Sequence, residues 1–171
     1  MSTSRVMAVI PHRRPALLVD RVVEVEPRRR LVAHKAVTVA EPGYGALSRN
    51  PTDEDCAYPL GLLLESWAQC AVALACWEEP NPDVRLGKVA LLTQVRDART
   101  LAPVHPGSVL AHEVTVVRDL GDTYLVTGRS TVDGTPVMEI GQVTLALRDM
   151  EVLTGAVAES PVPETTTHER A

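Results

Sequence analysis

The residues from Pro59 to Trp77 constrain this chain more than any other stretch. Leu62, Leu63, Glu65, Ser66, Ala68, Gln69, Ala71, Val72, Ala73 and Ala75 show no alternation of apolar and polar side chains and are mostly strong helix formers. They predict a helix, the one long helix of the chain. Asp53, Glu54 and Asp55 precede it, where negative charge suits a helix N-terminus, and Pro80 with Pro82 ends it. Its many alanines allow a sheet to pack closely around it. The rest of the chain reads as strands: Ala16 to Val25 and Leu31 to Val39 before the helix, then Gly87 to Val95, Val109 to Arg118, Thr123 to Val132 and Pro136 to Leu147. The break from Pro27 to Arg30 fits a short hairpin loop, and Asp133-Gly134 is a strong hairpin turn. Glu41 to Tyr58, with Gly43, Gly45, Asn50 and Pro51, reads as a long loop of the kind that carries function. Two strands, one helix and an antiparallel meander of four strands make an α+β arrangement with the helix segregated to one face of the sheet.

A length of 171 residues suits one domain with a sizeable core. Phe is absent and only two Trp and three Tyr occur, so that core must be built from Val, Leu and Ala, and base-stacking platforms are not expected. The formal net charge is −5 and the basic residues form no stripe, which argues against a nucleic-acid binder. The longest basic run, Arg28-Arg29-Arg30, reads first as a solvated turn. Cys56, Cys70 and Cys76 have no zinc-ligand spacing and suit buried thiols in a reducing compartment. No apolar stretch reaches the roughly 18 residues of a membrane span and no secretory leader opens the chain, so a cytoplasmic protein without a membrane partner is expected. From about Thr154 the sequence is rich in Pro and Thr and has no apolar face. The expected organisation is one domain over residues 1–153 and a disordered tail over 154–171.

Ile10 to Arg21 reads I-P-H-R-R-P-A-L-L-V-D-R. Leu31 to Pro42, the helix segment Leu62 to Gln69, Pro103 to Leu110 (P-V-H-P-G-S-V-L) and Val132 to Glu139 (V-D-G-T-P-V-M-E) follow in an order similar to that of the bacterial 3-hydroxyacyl-acyl-carrier-protein dehydratases, the Z type of fatty-acid synthesis. This resemblance covers roughly residues 5 to 149. It implies a hotdog fold, in which the sheet wraps the long helix and two subunits join their sheets. It implies no cofactor and no metal. In that family the catalytic pair is a glutamate on the helix and a histidine in the preceding loop, the two residues of one site coming from different subunits. Glu65 matches the glutamate, and Gln69, one turn on, matches the end of the family's A-x-A-Q pattern. The histidine has no match: the loop reads Y-G-A-L-S-R-N-P-T-D-E-D-C-A-Y-P, longer than the family's, and no histidine occurs between His34 and His105.

Dehydration of a 3-hydroxyacyl thioester needs a base for the C2 proton, an acid for the leaving hydroxyl and donors for the enolate-like oxygen. On the resemblance, Glu65 is the acid, Leu60 and Gly61 at the helix N-terminus supply backbone N–H groups to the substrate, and Gln69 binds substrate. A charged residue on an otherwise apolar helix asks for such a reason, the bland alternative being a solvated or salt-bridged side chain. His12, in the P-H-R motif, is the candidate replacement base, although a loop histidine of this kind is more often structural. His34, inside a strand with Val32 and Ala36 on its face, reads as satisfied locally, and His105, His112 and His168 have no evident partner. The expected function is a dehydratase-like subunit acting on carrier-bound 3-hydroxyacyl chains in fatty-acid or polyketide biosynthesis, paired with a histidine-bearing homologue. A homodimer is the other pairing, and an acidic carrier protein gives the arginine run a second reading as a docking patch. The alternatives are a hotdog acyl thioesterase in which Glu65 activates water, and a non-catalytic acyl-binding homologue.

Overall fold

A computed structural model describes residues 1–85 and 87–153. The expected C-terminal tail, 154–171, lies outside the described residues. The elements run α1 (Thr3–Val9), β1 (Arg21–Glu26), β2 (Arg30–Ala36), a short 3-10 turn (Pro42–Tyr44), α2 (Leu60–Ala75), β3 (Lys88–Thr100), β4 (Val109–Asp119), β5 (Thr123–Val132) and β6 (Thr135–Asp149). One antiparallel sheet in the order β1-β2-β4-β5-β6-β3 packs around α2, the α+β arrangement and the wrapped helix that the sequence predicts.

The long helix and most strands fall where the side-chain pattern places them, with ends moved by a few residues. Leu63, Ser66, Trp67, Cys70, Ala71 and Leu74 recur at three- and four-residue spacing and are buried, so one face of α2 is driven into the sheet. Trp67 is wholly enclosed, and its indole N–H donates to the Glu113 carbonyl at 2.9 Å across β4. The acids before the helix do not cap it: Pro59 stands at the N-cap and the first turn holds no acid. Asp55 instead accepts from the Thr52 amide and hydroxyl at 2.9 and 2.8 Å, which closes a separate turn and holds its carboxyl below the ordinary range.

Two features depart from the sequence expectation. Helix α1 is extra, a short helix whose Val6 and Val9 are the only side chains it buries. The meander contains three strands, β4, β5 and β6, because β3 pairs with β6 at the far edge and β4 pairs with β2. Residues 101–108 are long enough to cross between them. Backbone bonds from Val37 N–H to the Ser108 carbonyl and from Gly107 N–H to the Val37 carbonyl, both 2.9 Å, zip the start of β4 onto the end of β2. Gly107 has φ of 97°, which a side chain would strain.

The arginine run is a solvated turn whose charges are already answered. Arg28 pairs with Asp119 at 2.5 Å, Arg29 with Glu26 at 2.5 Å, and Arg30 with Glu24 and Glu113 at 2.9 and 3.1 Å. An acidic partner docking here would have to exchange these exposed ion pairs. No helix among the described residues is long and apolar enough to cross a membrane.

Candidate active site

Glu65, Gln69 and His12 come together; the Leu60 side chain does not join them. Gln69 is 1% exposed, and each of its polar atoms is used. Its Oε1 accepts from the Leu18 amide at 2.9 Å, while its Nε2 donates to the Ala16 carbonyl at 2.7 Å and to Glu65 Oε1 at 2.9 Å. The Leu18 bond needs an acceptor and the other two need donors, so the amide has a single orientation. The expected substrate-binding role of Gln69 therefore has no free group behind it. It fixes the Glu65 carboxylate and leaves Oε2 as the oxygen that can work on a ligand.

Glu65 is half-exposed beside a cavity of about 280 Å³ lined by Pro15, Ala16, Leu18, Pro42 and Leu62. That lining is almost wholly apolar, which suits an acyl chain better than a polar metabolite. His12 Nε2 lies 3.7 Å from Glu65 Oε1, while His12 Nδ1 is buried without a hydrogen-bond partner. Burial lowers the His12 pKa, with Glu65 opposing the shift and Arg13 adding to it. The Leu60 side chain turns instead toward the end of β3, beside Leu64, Ala98 and Thr100. The N–H groups of Leu60 and Gly61 take part in no hydrogen bond among the described residues, which leaves the start of α2 open to an oxyanion.

The histidine-free loop is firmly held at both ends, something the sequence did not signal. Lys35 Nζ and Tyr58 Oη donate to the two Glu41 carboxylate oxygens, each at 2.8 Å, and the Thr38 amide adds a bond at 3.0 Å. Lys35 and Glu41 are nearly enclosed, at 6% and 10% side-chain exposure. Tyr58 N–H donates to the Val104 carbonyl at 2.6 Å, and burial followed by the bond to Glu41 raises the phenol's pKa strongly. The middle of the loop forms an exposed arch, and His105 Nε2 lies 3.1 Å from the Asp53 carbonyl within it.

One further cluster resembles a Ser-His site and cannot act as one. His112 is fully buried, with Nε2 3.0 Å from Ser66 Oγ and Nδ1 2.7 Å from Ser130 Oγ. Ser66 Oγ also lies 3.0 Å from the Leu63 carbonyl, which can only accept, so the hydroxyl proton is committed there. His112 then faces Ser66 with an N–H, and its lone pair faces Ser130. Burial pushes the His112 pKa down to about 3. Among the described residues no group of three or more His, Cys, Asp and Glu side chains is placed to hold a metal ion.

No protein-family model matches the chain. The 3-hydroxyacyl-acyl-carrier-protein dehydratase FabZ of Myxococcus xanthus (strain DK1622) is 39% identical over 140 residues, which cover 81% of this chain and 87% of that protein. Among solved structures, the dehydratase heterocomplex ApeI:P from Xenorhabdus doucetiae superposes with a TM-score of 0.72 at 16% identity, covering 90% of this chain and 97% of that one. A hot-dog-like protein from Thermanaerovibrio acidaminovorans superposes with a TM-score of 0.57 at 23% identity, covering 77% and 87%. These likenesses establish the hotdog fold. The identity to a curated relative across most of both chains establishes the rest: this chain belongs to the FabZ family of 3-hydroxyacyl-acyl-carrier-protein dehydratases, and departs from it at the loop where the family places its histidine.

Proposed function

We infer that this chain is the glutamate-bearing half of a dehydratase site acting on 3-hydroxyacyl chains carried by an acyl carrier protein, in fatty-acid or polyketide biosynthesis in the cytoplasm. One observation carries the reading: Gln69, locked by residues 16 to 18, holds Glu65 Oε1 at 2.9 Å and turns the carboxyl toward an apolar cavity. Glu65 gives a proton from Oε2 to the departing hydroxyl, and the open N–H groups of Leu60 and Gly61 receive the thioester oxygen. The base comes from across the subunit interface, from a hotdog homologue whose loop carries the histidine. The dehydratase heterocomplex among the structural neighbours is the precedent for such a pairing.

Assays of the chain alone and of the chain with its histidine-bearing partner test this. Pairing is expected to raise turnover by at least about 10²-fold, the range of one general acid–base group. In the pair, Glu65→Gln is expected to remove most of that gain while KM stays within about twofold, because the apolar cavity and not the carboxyl binds the chain. An active pair indifferent to Glu65→Gln sinks the reading.

The 3.7 Å approach of His12 to Glu65 favours a second reading, in which His12 is an in-chain base. Its unused nitrogen is buried, which weighs against that role. Full activity of the unpaired chain, abolished by His12→Ala, would establish it.

A further inference from the structure

The cavity beside Glu65 has a wall that two separate elements build. Pro42 lies in the 3-10 turn that opens the arch and Leu62 in the first turn of α2, and both line the cavity. Gly43 is where these elements meet. A Cβ on Gly43 would stand 2.9 Å from Leu62 Cδ1 and 2.9 Å from the Pro59 ring, closer than Cβ atoms approach a neighbour. Its φ is not in the left-handed region, so the backbone there does not call for glycine. The missing side chain is a matter of space: it lets the turn lie against the start of the helix.

Of the groups at this contact, only the Leu62 side chain can yield. The turn is held from behind, by the bonds from Lys35, Thr38 and Tyr58 to the Glu41 carboxylate. The Tyr44 amide donates to the Glu41 carbonyl at 3.0 Å, and Tyr44 Oη donates to the Cys56 carbonyl at 3.2 Å. Pro59 is a closed ring at the N-cap of α2, and its carbonyl accepts from the Leu62 and Leu63 amides at 2.9 and 3.0 Å. Leu62 is half-buried and free to change rotamer toward the cavity it lines. A side chain at position 43 therefore turns Leu62 into the cavity, and a smaller residue at position 62 enlarges it. The space at stake is small. An apolar cavity of about 150 Å³ takes the six carbons of benzene, so the roughly 280 Å³ here takes on the order of ten carbons.

We propose that Gly43, acting through Leu62, sets the size of acyl group that the site accepts, and that a chain of about ten carbons fills it. The proposal rests on the reading of this cavity as the acyl site. Leu62 touches the chain; Gly43 is a positioning residue that fixes where Leu62 stands.

The test is calorimetric binding of saturated acyl-pantetheine thioesters, butanoyl to tetradecanoyl, to the purified full-length chain and to Gly43→Val, Leu62→Ala and the double variant. Saturated chains have no 3-hydroxyl to lose, so binding is read without turnover. Wild-type affinity is expected to rise by up to about fourfold per added methylene and to level off near about ten carbons. Gly43→Val is expected to move the levelling point down by about two carbons and Leu62→Ala to move it up by about as much. The double variant is expected to return it close to wild type, because the valine then meets no leucine. It also relieves the clash, so it carries the test where Gly43→Val alone does not fold. A folded Gly43→Val or Leu62→Ala with the wild-type profile overturns the proposal, as does a double variant that behaves like Leu62→Ala alone. Binding absent at every length, or indifferent to length, removes the acyl reading of the cavity together with the proposal. A length limit that ignores positions 43 and 62 removes the proposal alone.

Discussion

His112 makes stability depend on pH. In the fold its pKa is pushed down to about 3 by burial, helped by Lys35 and His34, while in the unfolded chain it titrates near 6.5. Between those values the unfolded chain binds the extra proton, so the contribution to stability is complete above about pH 6.5 and is lost as pH falls. The burial-lowered His12 and His34 act in the same direction. Urea unfolding is expected to show stability declining from pH 7 to 5 with a slope approaching about 1.4 kcal/mol per pH unit for one such group, and His112→Gln is expected to flatten it. The thiols sort by burial in the same way. Cys70 and Cys76 are buried, the latter pushed up to about 11, while Cys56 is partly exposed, so iodoacetamide is expected to modify only Cys56 in the native protein. At this scale the sequence displayed Glu65, because a charge on an apolar helix stands out, and the resemblance to the family added Gln69. It concealed how they are used. The amide's partners are backbone groups of Ala16 and Leu18, and the partners of His105 and His112 are a carbonyl and two serines, none of which marks its role in the sequence.

Among the elements, the arch before α2 is the one whose support runs deepest. Glu41 takes donors from Lys35, Thr38 and Tyr58, so truncating it leaves a lysine charge enclosed without its counter-ion. Glu41→Ala is therefore expected to cost about 3 to 5 kcal/mol in denaturant unfolding. Tyr58→Phe, which strands only one carboxylate oxygen, is expected to cost about 1 to 3 kcal/mol. The sequence showed this segment as a long loop and no more, since its ties join residues 6 and 17 positions apart and a local pattern cannot register them. The strands and α2 were legible because periodicity is a local property. The partner of β3 was not: a strand's own residues say which face is buried, while the choice between β4 and β6 is made by the bonds that zip β4 to β2. Helix α1 escaped notice because it has only two buried side chains to form a pattern.

For the molecule as a whole, the sheet is unfinished along β3. This outer strand has 13 residues, and from Leu92 onward it is exposed, including Leu92 and Val95 at 38% and 40%. A long edge strand with open backbone groups and apolar side chains seeks another strand. Sedimentation is expected to show a dimer at micromolar concentration. Leu92→Lys with Val95→Lys is expected to shift it toward monomer and to lower turnover in proportion. Both subunits must then bring their helices to the shared interface at the correct angle, and Gly128 bears on that. A Cβ there would lie 2.8 Å from Trp67 Nε1 and 2.9 Å from its ring, with the Glu113 carbonyl nearer still, so β5 has a notch into which the indole fits. Trp67 and Glu65 are two residues apart, about 200° around the helix. The notch thus works as a keyway: it stops α2 from turning about its own axis, and a filled notch at position 128 would misaim the carboxylate on the opposite side without touching it.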